Sequence, residues 1–599
     1  MGSKLFPMLF QVDKKYFYKR VFTSIWFGLF VGCLSMFSNA TVANELIHLD
    51  AQEQIQAQER EAFLQKSLEK TPTVRLKVDM LDASGRLPES EKPCFSITNI
   101  VIETFKSPNK ESASADFQWV LSYANYTLEG EEDFVLGRCL GTKGINLIVK
   151  RLQNAFIKRG FITTRIIVAP QDLIIGTLKL TVVPGYIREI RFLEPKGRIT
   201  EWNSVPASAG DLLNLRDIEQ ALENFKRVPT ADADIQITPS TAQNAGPGDS
   251  DLVIDWKQRF PFRVNLALDD SGSDSTGKYQ GSVTLSYDNL LTLSDLFYIS
   301  FNNDLGGGSS GKRGSKGRAL HYSIPYGYWL FALNSSENQY YQTIVGANQD
   351  YIYSGESSNQ ALKASRVIYR DAQRKTTLSI KGWLKNSKNY IDDTEVQVQR
   401  RRTFGLDFGV HHQEFLGSTT LNVSLNYKRG FKGYGSLPAP EEAFGEGTAK
   451  PDILTTQLQL NMPFRLKEKV MSYSGLLKVQ TEGTRLVPQD KFSIGSRYTV
   501  RGFDGGNQLS AERGWLLRND FNWFLGGTGQ VVYAGLDYGS VSGPTSDNLA
   551  GTALSGTVIG LKGRYKFLSY DLFVGKPLIK PTKFTASDIV SGFSLNASF

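Results

Sequence analysis

Residues from 261 to the end of the chain alternate apolar and polar side chains with a period of two. The alternation is clearest in the segments 262–268, 279–287, 421–427 and 557–567. Segments of about ten residues with one apolar and one polar face are typical of transmembrane β-strands, and in lipid only a closed barrel satisfies every backbone group. At about 20 residues per strand and connection, residues 259–599 predict an even number of antiparallel strands near sixteen. A large soluble all-β domain is the alternative.

Residues 93–258 show a different pattern, in which helical and strand-like segments follow one another. Apolar residues fall on one face at helical spacing in 144–159 and again in 215–226, which predicts two amphipathic helices. Strand candidates flank them at 95–103, 161–168, 177–183, 187–193, around 235 and at 252–256. The pattern predicts two small α/β modules at 93–185 and 186–258, whose open sheet edges are able to accept a strand from an extended chain. The alternative is that these are ordinary packing modules that bind no partner chain.

The N-terminal 92 residues divide into a targeting segment, a helix and a linker. Basic residues, an apolar run at 21–37 and small residues after it indicate a secretory signal peptide within 1–40; an uncleaved anchor is the alternative. Residues 45–69 lack Gly and Pro and are rich in Gln, Glu and Ala, so 41–70 is predicted to be helical. Because this helix is polar nearly all round, it belongs either in solvent or in a wet cavity; a solvated helix or a coiled-coil arm is the simpler alternative. Residues 71–92 are predicted to be a linker.

Composition narrows the functional classes. The 599 residues are 41% hydrophobic, which excludes a bundle of membrane helices, while 12% aromatic residues and 55 Gly suit a barrel with tight turns. The formal net charge is +8 without a basic run, so nucleic-acid binding is not expected. Residues 306–313 nearly spell a phosphate-binding loop, but Arg313 stands where Ser or Thr is required. Four His and three Cys leave little for a metal site. No motif points to a cofactor or to catalysis, so we expect no metal, no cofactor and no catalytic activity.

Two cysteines, Cys94 and Cys139, lie in the mature chain, and Cys33 lies in the predicted signal peptide. An exported protein meets an oxidising compartment, so a disulfide bond between Cys94 and Cys139 is expected, with two buried thiols as the alternative. Closing a loop of about 46 residues would stabilise the first module by roughly 4 kcal/mol on the chain-entropy model.

Two charged positions in the predicted barrel are candidates for an internal contact. Arg501 lies in a polar stretch between two predicted strands. Asp537 lies within a strand whose apolar face is made by its neighbours, so its carboxylate points into the lumen. Gly535 and Gly539 share its face and leave room for an arginine from an inserted loop, whose planar fork matches a carboxylate in two bonds. The alternative is that Asp537 is a solvated residue of the lumen and that Arg501 lies in an exposed loop.

These features together make the chain resemble the two-partner secretion transporters, the TpsB family of haemolysin and adhesin secretors. That family belongs to the outer-membrane barrels with periplasmic POTRA domains. The loop segment 500–503, Val-Arg-Gly-Phe, matches the family motif Val-Arg-Gly-Phe/Tyr. Asp537 and Gly539 match the strand motif Phe-x-Asp-x-Gly, except that Gly535 stands where the motif has Phe. The resemblance covers nearly the whole mature chain.

The resemblance implies an architecture and a set of functional residues. Residues 93–185 and 186–258 are expected to be POTRA domains, 259–599 a transmembrane β-barrel of about 16 strands, and the helix within 41–70 a plug in the resting pore. The expected lumen-loop residues are Val500, Arg501, Gly502 and Phe503, with Asp537 and Gly539 as their partners on a barrel strand. The expected outer-membrane assembly signal is the alternating terminus with Phe593, Leu595 and Phe599.

The resemblance also implies a function and a location. The POTRA domains would capture the targeting domain of a cognate large exoprotein in the periplasm. The barrel would pass that exoprotein, a haemolysin, an adhesin or a contact-dependent toxin, unfolded to the surface of a Gram-negative bacterium without ATP. Other implied partners are outer-membrane lipid and, during biogenesis, the barrel-assembly machinery. The alternative functions are a factor that assembles other barrels, which usually has more POTRA domains and no plug helix, and a passive porin, which has no use for periplasmic modules.

Overall fold

A computed structural model of the chain describes residues 50–69, 72–105, 116–194, 199–243, 245–346 and 348–599. The predicted signal peptide lies outside the described residues. The chain divides into two units, Met1–Gln52, of which only 50–52 are described, and Glu53–Phe599. Residues 50–52 begin the described part of helix α1, which spans 50–68. Every contact reported below lies within Glu53–Phe599.

The first α/β module packs helix α2 against a small mixed sheet. Its elements are β1 (Phe95–Ser96), β2 (Asn99–Thr104), a 3-10 helix (Gln118–Asn125), β3 (Cys139–Leu140), α2 (Thr142–Lys158), β4 (Arg165–Ile167) and β5 (Thr177–Val183). The sheet order is β2-β5-β4, with β2 parallel and β4 antiparallel to β5, and β1 pairs with β3. Ile148, Leu152 and Phe156 of α2 are fully buried in the core of this module, as the helical spacing predicts.

The second module repeats this plan in shorter form. Its elements are β6 (Ile187–Phe192), α3 (Leu215–Lys226), β7 (Ala231–Pro239) and β8 (Ser250–Gln258), in the sheet order β6-β8-β7. Helix α3 begins after Asn214, whose side chain accepts a hydrogen bond from the Arg216 N–H and so caps the first turn. Leu222 and Phe225 bury the apolar face of α3 in the core of the module.

The predicted strand 161–168 is shorter in the structure, where only Arg165–Ile167 pairs with the sheet. The Phe161 ring packs against Phe156 with 6.4 Å between ring centroids, and Ile162 packs on the core of the second module. Packing against α2 and the next module therefore removes these residues from the sheet, because tertiary contacts override the local preference for a strand.

Within the described residues, sixteen antiparallel strands close into a barrel, which confirms the fold predicted from the period-two pattern. They are β9 (Phe262–Asp269), β10 (Gln280–Asp288), β11 (Leu296–Asp304), β12 (Arg313–Tyr326), β13 (Trp329–Val345), β14 (Asp350–Arg370), β15 (Arg374–Ile391), β17 (Arg401–Leu416), β18 (Thr419–Phe431), β19 (Asp452–Leu466), β20 (Lys469–Glu482), β23 (Arg513–Phe524), β24 (Gln530–Ser542), β25 (Ala553–Tyr565), β26 (Leu568–Ile579) and β27 (Val590–Ser598). The connections contain the short strands β16 (Thr394–Glu395), β21 (Phe492–Ile494) and β22 (Leu509–Ala511). Strand β27 pairs with β9 and completes the cylinder.

The barrel strands turn apolar side chains outward and polar or small ones inward. On β24, for example, Leu536 is 52% exposed on the outer wall, whereas the adjacent Asp537 is fully buried on the lumen side. Short 3-10 helices lie in the connections at Gln397–Gln399, Pro440–Phe444, Pro488–Asp490 and Ser546–Asn548. No helix among the described residues has the length and apolar character that crossing a membrane requires.

Candidate functional site in the barrel lumen

The connection between β20 and β23, residues 483–512, folds into the barrel. Its strands β21 and β22 pair as a short hairpin. A buried apolar cluster holds this lumen loop, and its members are Phe492, Ile494, Val500, Phe503, Leu509, Ala511, Leu516, Val541, Leu554 and Phe584. Three members belong to β23, β24 and β25, so the cluster fixes the loop to these strands. Val500 and Phe503 belong to the cluster and flank Arg501.

Arg501 pairs with Asp537 inside the lumen. Its Nε lies 2.7 Å from Oδ2 and its Nη2 lies 2.8 Å from Oδ1 of Asp537. The backbone N–H of Arg501 donates a further hydrogen bond to Oδ2 at 3.0 Å. Asp537 is fully buried and Arg501 is 7% exposed. A two-pronged, charge-assisted pair of this kind fixes the orientation of both groups as well as their distance.

Glycines leave the space that this pair needs. A Cβ atom on Gly535 would lie 2.5 Å from Nη2 of Arg501, and one on Gly539 would lie 2.8 Å from a side chain of the lumen loop. Gly502 has a φ of +96°, and a Cβ there would lie 2.6 Å from the Lys576 carbonyl oxygen, so a larger residue would strain the loop. Gly535 stands where the family motif has Phe, and in this chain the guanidinium of Arg501 lies directly beside that position.

Two further charged residues on β23 complete the site, and the sequence reasoning missed both. Asp520 lies opposite Gly535 in the pairing of β23 with β24, and its Oδ1 is 2.7 Å from Nη1 of Arg501. Arg518 donates a hydrogen bond to the Tyr498 carbonyl oxygen at 2.9 Å, so it holds the backbone of the loop. Alternation along β23 puts both side chains on the lumen face, but it does not tell which lumen residue the loop reaches.

Helix α1 touches the same loop. Gln56 donates a hydrogen bond to the Gly505 carbonyl oxygen at 3.1 Å, and the Ser496 hydroxyl lies 3.3 Å from a carboxylate oxygen of Glu59. Ser496 precedes Arg501 in the loop and Gly505 follows it, so the helix contacts the loop on both sides of Arg501. The helix and the loop therefore occupy the lumen as neighbours.

Other side chains of helix α1 contact the barrel itself. Lys385 on β15 donates a hydrogen bond to the Gln58 side chain at 3.3 Å. The Ser273 hydroxyl, in the connection after β9, donates to the Glu53 carboxylate at 2.6 Å. The polar surface of this helix thus finds polar partners in the lumen, as a helix polar on all sides requires.

The remaining predicted residues lie in the first module and at the last barrel strand. The sulfur atoms of Cys94 and Cys139 are bonded to each other and tie the start of the first module to β3. On β27, Leu595 lies opposite a residue of β9. The rings of Phe593 and Phe599 pack on aromatic neighbours at centroid distances of 6.2 and 5.0 Å. These terminal residues therefore join the last strand to the rest of the barrel wall.

The chemistry of the lumen site suits holding a segment of chain. One guanidinium faces two carboxylates, and the pair with Asp537 uses both oxygens of that carboxylate. Nowhere in the described residues do three or more His, Cys, Asp or Glu side chains form a group that would hold a metal ion. The arrangement holds the loop, and with it one side of helix α1, in a single position.

Family models match most of the described chain. Residues 248–563 match the family described as haemolysin secretion/activation protein ShlB/FhaC/HecB. Residues 127–185 match the ShlB-type POTRA domain, and residues 186–239 match a POTRA domain model. The matched regions cover most of the barrel and parts of the two α/β modules.

Individual proteins resemble the chain over most of its length. The outer membrane transporter CdiB-2 of Burkholderia pseudomallei (strain 1026b) is 36% identical over 567 residues, which cover 94% of this chain and 95% of that protein. The hemolysin transporter protein ShlB of Serratia marcescens is 24% identical over 459 residues, which cover 76% of this chain and 79% of that protein. The solved structure of CdiB from Acinetobacter baumannii has a TM-score of 0.78 at 30% identity, covering 92% of this chain and 99% of that one.

Proposed function

Because the chain belongs to the haemolysin secretion/activation family ShlB/FhaC/HecB and is an outer-membrane two-partner secretion transporter with periplasmic POTRA domains, we propose that its lumen loop and helix α1 form the gate for a cognate secreted exoprotein. In this proposal Val500, Gly502 and Phe503 shape the loop, and Arg501 latches it to the barrel. Asp537 and Gly539 are the receiving side of the latch.

The pair of Arg501 with Asp537 is the observation that carries this proposal. It joins the lumen loop to a barrel strand through a buried, two-pronged contact. Helix α1 rests on the same loop through Gln56 and Glu59. A chain that passes through the barrel must displace the helix from the lumen and break its contacts with the loop.

Capture and direction come from the two ends of the transporter. The open sheet edges of the POTRA domains accept an extended segment of the exoprotein by strand addition, and the exoprotein passes the barrel unfolded. Folding at the surface supplies the direction without ATP. The activity is transport, with no catalytic step. Outer-membrane lipid surrounds the barrel, and the barrel-assembly machinery reads the terminus with Phe593, Leu595 and Phe599 during biogenesis.

Co-expression in a host that lacks related transporters tests this function. The probe is an epitope-tagged candidate exoprotein, chosen as a very long exported protein encoded beside the transporter gene, and it is followed by immunoblot in the medium and at the cell surface. With the wild-type transporter we expect full-length exoprotein outside the cell, and with the transporter absent we expect it to remain and be degraded in the periplasm. Equal secretion with and without the transporter would contradict the proposal.

The same cells separate transport from the alternative function, the assembly of other barrels. Two POTRA domains and a helix inside the lumen favour transport. We therefore expect deletion of the gene in its own bacterium to leave the amounts of the major outer-membrane porins unchanged. A general loss of porins would instead support an assembly factor.

A further inference from the structure

The linker that follows helix α1 is held by buried charges where the second POTRA domain meets the barrel. Arg370, the last residue of β14, donates hydrogen bonds to Glu219 at 3.1 Å and to Glu223 at 2.9 Å. It also donates to the Val74 carbonyl oxygen at 2.6 Å. Glu219 and Glu223 lie one turn apart on α3. We refer to Arg370, Glu219 and Glu223 as the linker clamp.

The two carboxylates of the linker clamp also bind the backbone of the linker. The Val74 N–H donates to Glu223 at 3.0 Å, and the Leu76 N–H donates to Glu219 at 2.8 Å. Alternate N–H groups of an extended segment point to the same side, so two carboxylates spaced one helical turn apart are matched to a strand-like chain. The clamp therefore recognises backbone groups that any extended segment carries.

Side chains of the linker add selectivity to this backbone recognition. Val74 and Leu76 pack on the apolar core of the second POTRA domain. Arg75, between them, turns the other way and places its guanidinium 4.2 Å from the centre of the Phe415 ring on β17, which is a favourable cation–π distance. The site thus fits an extended segment with an apolar, a basic and an apolar residue in succession.

The linker clamp is buried in its occupied state. The side chains of Arg370, Glu219 and Glu223 are 5%, 0% and 6% exposed. Arg216 lies 2.7 Å from Glu219, and Lys375 lies 2.6 Å from Glu223. Removing the linker takes N–H donors from two carboxylates and an acceptor from Arg370, and an extended chain in its place would restore these hydrogen bonds. A second extended chain is the simplest replacement.

We propose that the linker clamp is a binding site for extended apolar–basic–apolar peptide segments, which the chain's own linker occupies at rest and a segment of the unfolded exoprotein occupies during transport. The inference rests on the proposed function, because it identifies the exported chain as the second occupant. Exchange at the clamp then couples arrival of the exoprotein to release of the linker.

Release of the linker has a mechanical consequence for helix α1. The described helix covers 19 residues, 50–68, and is therefore about 28 Å long. The six residues from Leu68 to Val74 reach at most about 22 Å when fully extended. While Val74 stays in the clamp, the end of the helix therefore stays within about 22 Å of it, and release of the linker removes this restraint on the helix.

Peptide binding to the full-length transporter in detergent tests the site directly. The probe is a fluorescent peptide with the sequence of residues 72–79, Pro-Thr-Val-Arg-Leu-Lys-Val-Asp, and its binding is followed by anisotropy. The double variant Val74→Pro/Leu76→Pro removes the two N–H donors of the linker. We expect the linker to leave the clamp, whose own three residues are unchanged. Val78→Pro is the matched control, because Val78 lies on the same linker with its side chain 37% exposed. Heat-modifiable gel mobility verifies that each barrel is folded.

We expect the double-proline variant to bind the peptide at least about tenfold more tightly than wild type or Val78→Pro, since the resident linker no longer competes. Adding Arg370→Gln, which lies on the barrel and leaves the POTRA core intact, should abolish this gain. No gain in the double-proline variant, or a gain that persists with Arg370→Gln, would overturn the inference. If the double-proline variant does not bind the peptide although wild type secretes normally, only this inference is overturned. If wild type does not secrete the exoprotein, the proposed function is overturned.

Discussion

The guanidinium of Arg501 and the carboxylate of Asp537 meet in the lumen through two parallel hydrogen bonds of 2.7 and 2.8 Å. One partner comes from the tip of a folded loop and the other from a barrel strand, so this contact fixes where the loop lies. Asp520 stands on the other side of the same guanidinium. The guanidinium of Arg501 therefore lies between two carboxylates, with Arg518 as a second positive charge on the same face of the barrel wall. Removal of the Arg501 side chain takes its direct ion-pair partner from both carboxylates.

Arg501→Ala should reduce secretion of the exoprotein by at least about tenfold, because breaking a buried ion pair by removing one partner is destabilising by roughly 3–5 kcal/mol. The barrel should still assemble, since the pair lies on the lumen side of a closed sheet. Immunoblots of medium and outer membrane give both quantities. Arg513→Ala is the control, because the Arg513 side chain is 56% exposed in its pair with Glu482. Normal secretion by the Arg501 variant would remove the latch role.

Gly535→Ala should weaken the same latch without removing a charge. The added Cβ would lie 2.5 Å from Nη2 of Arg501 and 2.7 Å from Val558, and overpacking of this kind typically destabilises by about 1–3 kcal/mol. We expect secretion to fall several-fold and the loop to become more sensitive to protease. Gly526→Ala is the matched control, since a Cβ at Gly526 meets no atom within 4 Å. Equal behaviour of the two variants would show that the space at Gly535 is unimportant.

Replacing Cys94 and Cys139 with serine should loosen the first POTRA domain. The chain-entropy model assigns such a cross-link roughly 4 kcal/mol. We expect faster proteolysis between residues 93 and 185, with the mobility of the folded barrel on gels unchanged. Cys33→Ser is the control, because Cys33 lies in the predicted signal peptide. Unchanged protease resistance of the double variant would mean that packing alone maintains the domain.

The linker clamp should open in acid. Burial by itself raises the pKa of Glu223, but Lys375 and Arg370 more than offset this and hold the pKa below its ordinary value. A carboxylate whose pKa is lowered in the folded protein stabilises the fold above its ordinary pKa of about 4.3, and this contribution is lost as the pH falls further. Protonation of Glu223 breaks its ion pairs with Lys375 and Arg370, and Arg370 is the residue that donates to the Val74 carbonyl oxygen of the linker. A spin label at Lys77→Cys should therefore be immobile at neutral pH and mobile in stronger acid. In the Glu223→Gln variant the label should be mobile at both pH values. A label whose mobility does not change with pH in the protein that keeps Glu223 would contradict the clamp.

Much of this fold follows from local pattern. The strand Thr177–Val183 and the helix Leu215–Lys226 begin and end where the sequence predicts them, because apolar spacing and flanking turns are local signals. The lumen position of Asp537 follows in the same way from alternation along its strand. The number of barrel strands follows from the length of the segment 259–599 divided by about 20 residues per strand and connection.

The contacts that the sequence did not predict depend on which distant segments meet. Alternation puts Asp520 on the lumen face of β23, but only the tertiary structure shows that the Arg501 loop arrives there. Arg370 and Val74 are 296 positions apart in the sequence, and neither residue belongs to a motif. Their contact arises because the second POTRA domain packs against the end of β14, a relationship that periodicity along one segment does not contain.

A reversible tether between helix α1 and the barrel tests the central claim most directly. Gln58→Cys and Lys385→Cys place two thiols where the native side chains are 3.3 Å apart, and a cleavable thiol-specific cross-linker joins them. With the tether closed we predict that exoprotein secretion and pore conductance are both blocked, and that cleavage of the cross-linker restores both, while each single-cysteine variant secretes normally throughout. Secretion that continues with the helix tethered in the lumen would contradict the account.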